Sequence, residues 1–104
     1  MQIQTNTDSH IEGHDALAQH VENTVKDGLR HFASHVTRVE VHLSDENGAK
    51  KSDDDKRCLM EARLEGLQPV AVSHNANTIH EAIAGASKKL QAKLTNTLGK
   101  LNNR

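Results

Sequence analysis

The stretch Val36 to Ser44 (VTRVEVHLS) alternates, with Val39, Val41 and Leu43 on one side and Arg38, Glu40 and His42 on the other. Successive side chains of an extended strand point to opposite faces, so this pattern describes a strand with one buried and one wetted surface. Such a strand needs neighbours and a covering layer. Three other segments supply the neighbours. Met1 to Thr7 places Met1, Ile3 and Thr5 together, Arg57 to Leu64 turns Cys58, Met60, Ala62 and Leu64 inward, and Val70 to Ser73 forms a short last strand after the turn at Gly66-Leu67-Gln68-Pro69.

The covering layer is written in a different period. From His14 to Ala33, apolar residues recur at Leu17, Val21, Val25, Gly28 or Leu29, and Phe32, the spacing of a helix with one buried stripe. Gly28 inside it is unfavourable relative to alanine and signals close packing. A second helix begins at Thr78-Ile-His-Glu81, a capping box, and carries its stripe through Ile79, Ala82, Ile83, Ala86, Leu90, Leu94, Leu98 and Leu101. The element order is therefore β-α-β-β-β-α. An α+β fold follows: a four-stranded mixed sheet with its first two strands parallel and both helices packed on one face. The outer sheet face carries Arg38, Glu40, His42, Arg57, Glu61 and Arg63, whose opposite charges can pair across strands.

With 104 residues, the chain suits a single domain spanning 1–104. Phe32 is the only aromatic residue, so the core is aliphatic. The start MQIQTNTDSH lacks the pattern of a signal peptide, and no stretch has the length of a membrane span. A cytoplasmic location is expected, and the lone Cys58, unable to form an internal disulfide, agrees with a reducing compartment.

Charge is distributed unevenly behind a formal net value of −1: residues 82–104 carry Lys88, Lys89, Lys93, Lys100 and Arg104 and no acid, whereas every one of the fourteen acids precedes them. Lys89, Lys93, Lys100 and Arg104 fall along one face of the second helix. A row of cations there suits phosphates, and it equally suits a solvated helix surface. The run Asp45 to Lys56, with its Asn47-Gly48 turn signal, reads as a charged, solvated connection.

Catalytic chemistry finds little footing. Eight histidines include no zinc-binding constellation, and Asp53-Asp54-Asp55 lacks the other residues of a calcium loop, so no metal is expected. Cys58 sits on the inward side of its strand and reads as a small buried hydrophobe. Phosphate-binding loops, nucleophile elbows and dinucleotide fingerprints are missing, so neither an enzyme, a cofactor nor a small-molecule substrate is expected. The outer sheet face offers no aromatics on which single-stranded bases would stack.

The element order, the passage Phe32…Val36-Thr37-Arg38-Val39-Glu40-Val41 and the passage Ala82-Ile83-x-Gly85-Ala86-x-x-Lys89-Leu90 together resemble the short ribosome hibernation-promoting factors, also called ribosome-associated inhibitor or sigma-54 modulation proteins. The likeness runs from Met1 to about Leu101. Asp54 to Cys58 and Glu61 to Gly66 look like a divergent branch. The resemblance implies a protein that binds the small ribosomal subunit and its rRNA where messenger and transfer RNA would sit, inhibiting translation without chemistry. It also implies that the chain, like other short members, does not pair ribosomes unaided. On this basis the RNA-binding residues are Lys88, Lys89, Lys93, Lys100 and Arg104, helped by Lys26 and Arg30. Asp27, Ala92 and Asn96 depart from positions that are often cationic in the family. The alternative is a protein-interaction or regulatory module on the same fold, using its acidic body or the Asp45–Lys56 connection.

Overall fold

The computed structural model describes the backbone over residues 1–46 and 54–102, and side chains over 1–46 and 54–99. Strands β1 (Gln2–Thr7), β2 (Val36–Asp45), β3 (Lys56–Leu64) and β4 (Val70–Ala76) alternate with helices α1 (His14–Gly28) and α2 (Ile79–Asn102) in the expected order. The sheet runs β1-β2-β3-β4, with β1 parallel to β2 and the other pairs antiparallel. It is thus a mixed four-stranded sheet in an α+β fold.

The buried face decides the register. Val39 lies opposite Ala62, Val41 opposite Met60 and Leu43 opposite Cys58, all of them buried. A one-residue slip would turn this whole set into water, so the pairing is strongly specified. Leu17, Val21 and Val25 of α1 and Ala82, Ile83, Ala86, Leu90 and Leu94 of α2 join the same core, which places both helices on the inner face. Phe32 is only partly buried at its margin, so aliphatic contacts hold the interior.

Four details differ from the sequence-based expectation. Helix α1 stops at Gly28 instead of continuing to Ala33; the Leu29 N–H donates to Val25 O, and a 3-10 turn follows at Arg30–Phe32. Bonds from Phe32 N to Leu29 O and from His35 N to Phe32 O continue that tighter winding, which satisfies carbonyls that a frayed helix end would leave open. Strand β4 extends to Ala76, because pairing with β3 down to Lys56 overrides the weak strand preference of Asn75. Met1 precedes β1 and is exposed. On the outer face, Arg38 stands opposite Arg63 and Glu40 opposite Glu61, like facing like. Opposite charges meet mainly along each strand, Arg38 with Glu40 at 3.1 Å and Arg63 with Glu61 at 3.6 Å. The inner apolar partners set the register, and the outer charges adjust to it.

The Asp45–Lys56 connection lies partly outside the described residues, including Asn47-Gly48 and Asp53. Its two ends are tied together. Lys56 reaches Asp55 at 2.8 Å and Asp45 at 3.3 Å, both buried, while Glu46 N donates to Asp55 O. Asp54, at φ 58, donates its N–H to Asn77 Oδ1.

Candidate nucleic-acid interface

Helix α2 is started by a side chain. The Thr78 hydroxyl accepts the Glu81 N–H at 3.1 Å and the Thr78 carbonyl accepts the Ala82 N–H, so donors left open at a helix start are satisfied. From there the buried stripe fixes how the rest of the helix is presented. With Ala82, Ile83, Ala86, Leu90 and Leu94 facing inward, two flanks remain, and the lysines divide between them.

One flank faces α1. Gly28 of α1 approaches Ser87 and Gln91 so closely that a Cβ at position 28 would stand 2.9 Å from Ser87 Oγ and 2.6 Å from Gln91 Nε2. This is the close packing that the glycine signals in the sequence. An open groove beside this contact is lined by His20, Asn23 and Asp27 from α1 and by Ser87, Lys88 and Gln91 from α2. Lys88 therefore belongs to the interhelical groove. Lys89, one residue or about 100° further round the helix, turns to the opposite flank, where its ammonium donates to Ser73 O of β4 at 3.0 Å. Lys93, one turn on, continues that flank and is exposed. No acidic residue follows Glu81, so none on α2 neutralises this side.

The contribution from α1 is different. Lys26 pairs with Glu22 at 2.7 Å, one turn back on an exposed surface, and Arg30, in the 3-10 turn, lies 3.9 Å from Asp27. Each cation carries its own counter-charge. Surface pairs of this kind add about 0–1 kcal/mol to stability, but they reduce the field available to a polyanion. The structure thus brings Lys89 and Lys93 to one flank and leaves Lys88, Lys26 and Arg30 apart from them. The Lys100 side chain and Arg104 lie outside the described residues.

Sequence spacing gives no hint of one contact that His20 makes across the two helices. The rings of His20 on α1 and His80 on α2 stand 4.5 Å apart, centroid to centroid, at a tilt of 53°. They are sixty positions apart in the chain, and only the packing of the two helices unites them.

Cys58 is fully buried, and burial pushes its thiol up to about 12, far from the thiolate a nucleophile needs. Among the described residues, no three His, Cys, Asp or Glu side chains are grouped to hold a metal ion. Among them too, no helix is long and apolar enough to cross a membrane.

A four-stranded sheet in this order, covered on one face by two helices, defines a class of small α+β proteins. The chain belongs to the family described as sigma 54 modulation protein / S30EA ribosomal protein, whose model matches residues 4–102. Among solved structures it is similar to the N-terminal domain of Protein Y from Thermus thermophilus, with 22% identity, a TM-score of 0.73, and coverage of 93% of this chain and 99% of that one. It is also similar to a ribosomal subunit interface protein from Coxiella burnetii, with 13% identity, a TM-score of 0.70, and coverage of 95% and 99%. At these identities the structural likeness speaks for the fold. No curated protein matches the sequence.

Proposed function

We propose that this chain is a ribosome-associated protein of the cytoplasm that binds small-subunit RNA and inhibits translation by occluding the mRNA and tRNA channel. Family membership supports the ribosome as partner, and one of the similar structures is itself named a ribosomal subunit interface protein. The observation that carries the RNA contact is the flank of α2: Lys89 and Lys93 stand on a helix surface with no acid after Glu81. Lys100 and Arg104 extend the same cationic segment, and Lys88 adds a charge from the groove. Lys26 and Arg30 assist weakly, being paired within α1 and its following turn.

Phosphate neutralisation releases counterions, so such binding falls with salt. If all five cations of residues 82–104 touched phosphates, affinity would drop by a factor on the order of 500 between 50 and 200 mM salt, taking the duplex slope as the upper limit. Occlusion asks for no reacting group, in keeping with the buried, protonated Cys58. Co-sedimentation with 30S or 70S particles tests the reading. Wild-type protein is expected in the pellet at low ionic strength and in the supernatant at high salt, and the triple variant Lys89→Glu, Lys93→Glu, Lys100→Glu in the supernatant throughout. Salt-tolerant capture of a non-ribosomal protein instead would favour an interaction module on the same fold.

A further inference from the structure

We infer that the cross-helix pair His20–His80 is a proton-dependent phosphate contact, which makes RNA binding tighten as pH falls. The inference rests on the ribosomal reading above and adds a mode of regulation to it. Imidazole is the side chain whose ordinary chemistry changes charge between about pH 5 and 8. Here two imidazoles from different helices stand 4.5 Å apart, His20 lining the groove that holds Lys88 and His80 lining a second one. Two imidazolium ions at that distance repel each other. An anion placed against both removes the repulsion, so double protonation and anion binding favour one another.

The surroundings supply the remaining terms. On the α1 side, His20 shares its groove with Asp27, which already has Arg30 at 3.9 Å, and on the α2 side with Lys88. His80 borders a second groove with His10 and Glu12 from the β1–α1 connection and Lys56 from β3, the latter held by Asp45 and Asp55. Lys88 favours an arriving phosphate, while Glu12 and Asp27 oppose it. With both rings charged, two cations would stand where the two helices meet, beside an α1 surface whose own cations are paired. The chain as a whole is poised for this, since a formal charge of −1 with neutral histidines accompanies eight histidines.

The test compares wild type with the double variant His20→Gln, His80→Gln, both checked for native circular dichroism, in binding to 30S particles at pH 7.5 and 6.0 over a salt series. Wild type is expected to bind about tenfold more tightly at the lower pH, with a log-log salt slope steeper by about one to two phosphate contacts. The variant is expected to bind alike at pH 7.5 and pH 6.0, the pH effect being lost. Equal tightening in the variant, or none in wild type, overturns the inference and leaves the ribosomal reading in place. Should wild type bind no particles at either pH, the ribosomal reading fails on its own. Inorganic phosphate then tests the pair directly: it should raise the melting temperature at pH 6.0 in wild type and not in the variant, and an equal rise in both would overturn the contact.

Discussion

Gly85 of α2 lies against the ring of His74 on β4, so that a Cβ at position 85 would overlap the imidazole. The neighbour is the ring of a half-buried side chain, which must shift to admit a methyl group. Gly85→Ala should therefore destabilise the fold by about 1–3 kcal/mol despite the better helix propensity of alanine. Pairing it with His74→Ala should return part of the loss in a double-mutant cycle read by urea denaturation. Purely additive effects would show that the two residues do not touch.

Core depth sets a second expectation. Leu90 is fully buried in the middle of the α2 stripe, and truncation to alanine removes its methyl groups and leaves a cavity. Leu90→Ala should cost about 2–5 kcal/mol, while the exposed Lys93→Ala should stay within about 0.5 kcal/mol. Chemical denaturation of both variants measures the contrast.

Lys56 gives a dependence on alkaline pH. Its hydrogen bond to Asp55, reinforced by Asp45, raises its pKa above the ordinary value of 10.5, against a smaller effect of desolvation. A group whose pKa is raised on folding stabilises the native state below its unfolded value and loses that contribution as pH rises through the folded one. Stability should accordingly fall above about pH 10.5, and Lys56→Met, which leaves two buried carboxylates without this cation, should remove that part of the alkaline loss while lowering stability at neutral pH. Thermal melts at pH 8 and pH 11 compare the two proteins.

Cys58 provides a probe of opening. With its thiol buried and pushed up to about 12, alkylation of the native protein at pH 8 should be far slower than in denaturant and should follow the unfolding equilibrium. Rapid labelling of the native protein by iodoacetamide would contradict the burial.

The sheet was readable because its inner residues are chosen by one rule. Val39, Val41 and Leu43 meet Ala62, Met60 and Cys58 in a register that keeps all of them dry. Thr78 and Gly28 were readable for similar reasons, since capping and close approach each demand particular residues. The end of α1 was not, because Leu29 and Phe32 continue the helical stripe even though the backbone has tightened into a 3-10 turn. Among the cations, the pairing of Lys26 with Glu22 follows from their spacing of four. The separation of Lys88 from Lys89 depends on where α1 and β4 pack, and the bond from Lys89 goes to a backbone carbonyl that no side-chain pattern announces. His20 and His80 are joined only by the tertiary fold.

Charge reversal separates the two helices most directly. Salt-dependent co-sedimentation with 30S particles should be measured for wild type, for Lys89→Glu with Lys93→Glu, and for Lys26→Glu with Arg30→Glu. The α2 pair should cost at least about tenfold in affinity and flatten the salt slope by about two contacts, while the α1 pair, whose cations are already countered by Glu22 and Asp27, should cost clearly less. Binding by the α2 variant as tight and as salt-sensitive as that of wild type would contradict an RNA interface on this flank.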